Sequence, residues 1–221
     1  MAADSYERSR ENEVRQLREK AHYDCETVHG ILDAGLVAHV AFVQDAMPVV
    51  VPMIYGRDNR TLYLHGARKA RVIRLLAETP RACVNVTLLD GIVYARSAFN
   101  SSMNYRSVTV FGKPVLIDGD EAKLAAMRVV SEHTMPGRWD ELRAPLEREV
   151  KMTGVIALEM DAASAKVSAK MPEDDEADYA IPIWAGVLPL EATLTRLVTD
   201  PRVPDGIGPS AVVTARQNRK L

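Results

Sequence analysis

The stretch Gly66-Ala67-Arg68-Lys69-Ala70-Arg71 lies between a strand-like run and a helix-like run. Gly66 permits a tight turn. Arg68, Lys69 and Arg71 then sit in and just before the first helical turn, where cations oppose the helix dipole. A bound anion removes that conflict. It would meet free backbone N–H groups, the positive dipole end and two or three side-chain cations together. This is the chemistry of a phosphate anchor; the alternative is a solvated basic loop. His65 ends the preceding strand.

A second polar cluster runs from Arg96 to Ser107. Strand alternation puts Tyr105 and Ser107 on one face, Asn104 and Arg106 on the other. Such a patch suits a polar ligand or a second subunit; the alternative is a strand-crossing loop with surface serines. Arg96 and Arg106 need acidic partners, and Asp90 is the nearest acid in sequence. Trp184 suits the core, an interface or the face of a flat ring. Pro52 cannot donate to a strand ladder, so it marks an edge, a bulge or a place where something else meets the backbone.

Other chemistries lack their motifs. The chain has no Gly-x-x-x-x-Gly-Lys, no Gly-x-Gly-x-x-Gly and no Gly-x-Ser-x-Gly. The five histidines and two cysteines show no metal-ligand spacing, so no protein-bound metal is expected. Cys25 and Cys83 read as reduced thiols in a helix and a strand.

The elements that position these groups are mostly strands. Residues 36–43, 49–55 and 61–65 read as a meander joined by tight polar turns. Residues 69–77 have helical spacing. Two strands, 82–88 and 92–98, are expected on either side of an Asp90-Gly91 turn. A long strand follows over 105–117, with Gly112 as a bulge or close-approach site. An amphipathic helix is expected over 120–133 and a strand over 155–160. A first helix starts at Asp24 as N-cap.

Residues 1–20 read as a charged arm or solvated helix, 21–198 as one domain, and 199–221 as a surface tail without periodicity. Lys+Arg number 28 and Asp+Glu 30, a net charge of −2, and aromatics make up 5%. That balance argues against a nucleic-acid-binding face. No segment has the apolar length of a membrane helix and no signal peptide is evident, so a cytoplasmic location is expected. Short strands with few helices favour a mainly β fold with flanking helices, closed or partly closed into a barrel.

Several stretches together, VAHVAFV, PVVVPMIYGRD, TLYLHGARKARVIRLL, GIVYARSAFNSSMNYRSVTVFGKPVLI, PGRW and DYAIPIWAGVLPL, resemble the pyridoxamine 5′-phosphate oxidase-like split barrels. The likeness is to the flavin-nucleotide-binding branch related to nitroimidazole-resistance proteins and covers about residues 24–190. It implies a six-stranded antiparallel split β-barrel of Greek-key type. It also implies a homodimer holding FMN at the subunit interface, and a small-molecule substrate. By this resemblance the isoalloxazine edge follows Val50, Val51, Pro52 and Met53. The phosphate meets Arg68, Lys69 and Arg71 beside His65 and Gly66. Arg106 and Ser107 help hold the phosphate and ribityl chain, and Trp184 borders the flavin. The family's Ser-Arg-Lys run reads Ala67-Arg68-Lys69 here, without the hydroxyl. Its Trp-x-Pro-Arg signature reads Trp184-Ala185-Gly186-Val187, which speaks against pyridoxamine phosphate oxidation. The implied activity is NAD(P)H-driven reduction of a nitroaromatic or quinone, with His65, the histidine of the Tyr-Leu-His stretch, as candidate proton donor or else a hydrogen-bond donor to the phosphate. The alternative is a non-catalytic flavin or haem binder.

Overall fold

The computed structural model describes residues 5–220; residues 1–4 and 221, the outermost ends of the expected arm and tail, lie outside them. Ten strands run in chain order among the described residues: β1 (Ala21–His22), β2 (Val37–Gln44), β3 (Met47–Asp58), β4 (Thr61–Ala67), β5 (Ala82–Tyr94), β6 (Ser102–Gly112), β7 (Pro114–Leu116), β8 (Thr153–Glu159), β9 (Ala162–Ser168) and β10 (Gly186–Pro189). The α-helices are α1 (Cys25–Ala34), α2 (Arg71–Glu78), α3 (Asp120–Thr134), α4 (Glu147–Met152) and α5 (Ala211–Thr214).

Neighbouring strands follow the order β1-β9-β6-β5-β2-β3-β4-β8-β7, with β10 added on β5. Every ladder is antiparallel. The mainly β class with flanking helices is as expected, with more strands than six. β3 splits the barrel: residues 47–54 pair with β2, and residues 55–58 turn away to pair with β4. Alternation then fills the interior, with Ala38, Val40 and Phe42 from β2, Leu62 and Leu64 from β4, and Ile156 and Leu158 from β8. α1 is capped as its sequence predicts, the Asp24 side chain accepting from the Thr27 N–H at 2.7 Å.

Three expectations change. The Asp90-Gly91 turn is a bulge inside one continuous strand, β5. β10 pairs with residues 91–94, and a Cβ at Gly91 would lie 3.0 Å from the Leu188 carbonyl oxygen. The 105–117 strand is two, β6 and β7. The N-terminal segment, expected as a solvated arm or helix, packs on the barrel instead. Tyr6 is 2% exposed, its hydroxyl hydrogen-bonded to His29 Nε2 at 2.9 Å, and Asn12 donates to the Ala163 carbonyl at 3.0 Å. The C-terminal segment folds back, Leu194 N–H donating to the Arg219 carbonyl at 2.8 Å and Ser210 Oγ meeting Glu141 at 2.7 Å. No helix among the described residues is long and apolar enough to cross a membrane.

Candidate functional site

β4 delivers the basic loop. Arg68 N–H donates to the Met152 carbonyl and Ala70 N–H to that of Ala67, both at 2.8 Å. Gly66 lets α2 close onto the strand end, since a Cβ there would lie 3.2 Å from Ile73 Cγ1. α2 begins without a side-chain cap because Ala70 offers no acceptor. Its first-turn N–H groups therefore remain available to an anion. Arg68 and Lys69 are exposed and make no ion pair among the described residues. Arg71 is exposed too, and its Nη2 donates to Gln44 Oε1 at 2.6 Å.

His65 is half-buried on the strand leading into this loop. Its Nδ1 is sealed from solvent and has no hydrogen-bond partner. Burial lowers its pKa below the ordinary histidine value. The imidazole is therefore neutral at pH 7. The tautomer with its proton on Nε2 leaves no buried N–H unsatisfied, which puts the transferable proton on the outward nitrogen.

The β3 residues named for the flavin edge divide by alternation. Val50, 60% exposed, and Pro52 face outward, whereas Val51 packs toward the core and Met53 lies in it. Met53 has only its backbone to give. Pro52 stands opposite His39, and β4 pairs with β3 only from Tyr55 onward. Residues 48–54 therefore have one edge without a strand partner. Pro48 and Pro52 share parity, so their missing donors fall on one edge, and the unpaired one tolerates them. This is an exposed backbone edge beside His65 and the basic loop.

The remaining expected residues are not gathered there. Arg106 makes a two-pronged ion pair with Asp90, Nη2 to Oδ1 at 2.7 Å and Nε to Oδ2 at 3.0 Å. Ser107 bonds Thr87 at 2.9 Å and Asn85 at 3.1 Å. Trp184 is 70% exposed, its ring 6.0 Å from that of Tyr94. β5 and β2 stand between β3 and β6, which carries Arg106 and Ser107, and Trp184 precedes β10, which is added on β5. Arg96 pairs with Asp174, whose carboxylate accepts from the Arg96 N–H at 2.7 Å and from Nη1 at 2.9 Å. Sequence proximity missed that partner because Asp174 lies in an acidic run that reads as surface. Among the described residues no His, Cys, Asp and Glu group is arranged to hold a metal ion.

Two imidazoles are committed elsewhere. His29 bonds Tyr6, and His133 Nε2 meets the Gly35 carbonyl at 2.7 Å. His39 is exposed without a hydrogen bond and lines a 620 Å³ notch between the start of β2 and β5. Leu36, Leu88 and Leu190 supply apolar wall there, and the ion pairs Arg106–Asp90 and Lys220–Glu191 line it as well. Its sequence offered no signal beyond an outward position on a strand.

Comparison with known proteins gives these features a setting. A family model described as pyridoxamine 5′-phosphate oxidase matches residues 24–167. The chain is similar to the flavocytochrome Anf3 from Azotobacter vinelandii, with 35% identity and a TM-score of 0.89, covering 96% of this chain and 98% of that one. It is also similar to an FAD- and heme-binding protein from Mycobacterium smegmatis, with 37% identity and a TM-score of 0.87, covering 90% and 98%. A structure from Bacteroides thetaiotaomicron, provisionally assigned as a 5-nitroimidazole antibiotic resistance protein, shares the fold. It has 23% identity and a TM-score of 0.58, and covers 66% and 86%. The search of curated proteins found no match.

Proposed function

The chain belongs to the pyridoxamine 5′-phosphate oxidase family, and on that premise we propose that it binds a flavin and acts as a flavin-dependent oxidoreductase. The observation that carries this reading is the basic loop 66–71 at an uncapped helix start, with the orphaned imidazole of His65 beside it. The structure's own residues fit an FMN moiety. Arg68, Lys69 and the α2 N–H groups would take its phosphate, and the unpaired edge of β3 at Val50 and Pro52 would meet the ring. The chemistry such a group supplies when bound is hydride transfer from NAD(P)H to a small electrophile of nitroaromatic or quinone type. His65 Nε2 would hold the proton that such a reduction consumes. The two similar proteins of 35% and 37% identity are described as a flavocytochrome and an FAD- and heme-binding protein, which supports flavin over an empty site.

Arg106 and Ser107 lie two strands away from β3 in the sheet and Trp184 precedes β10 on β5, so in this reading they meet the cofactor from the second copy of a homodimer. The exposed apolar side chains Val43, Val50, Ile54 and Met103 supply surface for a homodimer with the cofactor at its interface. A cytoplasmic location belongs to the same reading, and the two unpaired cysteines are in keeping with it. The absorbance spectrum of the purified protein, with and without added FMN, tests the flavin reading. A yellow protein bleached by NADH or NADPH supports the enzyme; one that takes up no flavin refutes it.

A second reading, haem on the same barrel, is favoured by His39. Its imidazole makes no hydrogen bond among the described residues and lines the open notch between β2 and β5, as an axial haem ligand requires. A Soret band that is lost in His39→Ala, with flavin retained, is the expected result; no Soret band after haem addition refutes it.

A further inference from the structure

The last stretch of the chain folds against the end of α3, and the two enclose an open pocket of 350 Å³. One wall is Leu36 with Met135, just past α3; the other is Leu194 and Leu197 with Val212 and Val213 of α5. Backbone bonds pin the second wall. The Leu194 N–H donates to the Arg219 carbonyl at 2.8 Å, and the Asn218 N–H to the Leu194 carbonyl at 2.7 Å. Gly137, at φ +78°, turns the chain beyond α3, and a Cβ there would lie 3.4 Å from Val212 Cγ1. The volume falls at the lower end of small-molecule sites, about 300–1,000 Å³. No lining side chain is aromatic, so the pocket has nothing to stack on a flat ring and suits an alkyl body.

Three guanidinium side chains line the same pocket, Arg138, Arg196 and Arg216, and no carboxylate among the described residues does. Their circumstances differ. Glu141 accepts from Arg138 at 2.6 Å and takes the Ser210 hydroxyl at 2.7 Å on the same oxygen. Glu132, the other acid at this end of α3, accepts the N–H groups of Gly137 at 2.6 Å and Trp139 at 3.3 Å. Arg196, exposed, and Arg216, half-buried, make no ion pair or side-chain hydrogen bond among the described residues. Their own stretches cannot supply one, since 192–199 and 206–220 contain no acid. An aliphatic pocket is thus left with two cations that nothing answers.

We infer that this pocket binds a medium-chain alkyl carboxylate. The carboxylate meets the guanidinium groups of Arg216 and Arg196, whose planar forks match it in two-pronged fashion. The aliphatic walls cover the chain and remove it from water. One ligand then satisfies both halves of the pocket, the apolar floor and the unanswered charge. Because its contacts come from both walls, it also ties the C-terminal segment to α3. The pocket shares no residue with the basic loop 66–71 or the β3 edge, so the inference is independent of the flavin reading.

Calorimetric titration of the full chain with octanoate tests this, with octan-1-ol and acetate as controls. Octanoate is expected to saturate, octan-1-ol to bind about tenfold more weakly or worse, and acetate to give no measurable binding. Arg216→Met removes the charge and keeps the stem. It is expected to weaken octanoate about tenfold and to leave octan-1-ol unchanged. Leu197→Asp, at a side chain 39% exposed, puts an acid on the wall and is expected to abolish octanoate binding with the melting temperature unchanged. Amide exchange over residues 194–217 is expected to slow when octanoate is present. Absence of saturable octanoate binding overturns the inference, as does equal affinity for octanoate and octan-1-ol. So does an unchanged octanoate affinity in the Arg196→Met, Arg216→Met double variant. Octyl phosphate binding more tightly than octanoate overturns the assignment of a carboxylate.

Discussion

Arg71 and Gln44 are joined at 2.6 Å, guanidinium to side-chain carbonyl, which ties the start of α2 to the tip of the β2–β3 hairpin. The three loop cations are therefore unequal. Arg68 and Lys69 are free, whereas Arg71 is held by a neutral acceptor that does not cancel its charge. Lys69→Ala and Arg68→Ala should each weaken FMN binding about tenfold at low salt, less at high salt. Gln44→Ala should leave affinity unchanged, because it frees Arg71 without removing a cation. Titration at two salt concentrations checks this. Unaltered binding in the Arg68→Ala, Lys69→Ala double variant would falsify the phosphate assignment.

The sealed Nδ1 of His65 makes a separate expectation for the flavin-free protein. A buried polar atom without a partner costs about 1–3 kcal/mol. His65→Leu removes it and should raise the melting temperature by about 2 °C or more. The same variant should lose any reductase activity that depends on a proton from this position. A lower melting temperature would show that the imidazole has a stabilising partner.

Much of this was legible in sequence because alternation and turn chemistry are local. The β2–β3–β4 meander, the Asp24 cap and the basic loop all follow from neighbours in the chain. What escaped depends on distant partners. Ala162–Ser168 lacks a β-branched run, yet it is strand β9 because small side chains fit its buried place on β6. Tyr6 looked like part of a solvated arm; His29 and Arg60, whose guanidinium lies 4.3 Å over its ring, give it a socket. Arg106 and Trp184 were placed by resemblance, and within one protomer they stand apart from the loop.

Two glycines mark where elements touch. A Cβ at Gly112 would fall 2.0 Å from the Glu159 carbonyl oxygen, and one at Gly56 would fall 2.7 Å from Val130 Cα. Both obstacles are backbone, so neither can swing aside. Gly112→Ala and Gly56→Ala should each destabilise by about 3 kcal/mol or more, or prevent folding. Gly30, inside α1 with nothing within 4 Å, supplies the control. Gly30→Ala should stabilise by about 0.5–1 kcal/mol. Denaturant midpoints measure all three, and equal effects would contradict the close approaches.

The contact between Tyr6 and His29 makes the N-terminal strap sensitive to acid. Burial, helped by Arg57, lowers the His29 pKa below its ordinary value, and burial lowers that of His65. Burial pushes the Tyr6 hydroxyl up to about 12, so it stays protonated in its hydrogen bond with His29. For a base with a depressed folded pKa, the unfolded chain binds protons first. The stability contribution is therefore complete above about pH 6.5 and falls as the pH drops through the folded values. Carboxylates such as Glu149 titrate lower still, so the interval from pH 6.5 to 5 isolates the histidines. The melting temperature should fall across that interval, and amide exchange over residues 5–12 should quicken. His29→Gln should flatten the slope, because its side chain stays neutral. A wild-type melting temperature constant between pH 7 and 5 would rule out this coupling.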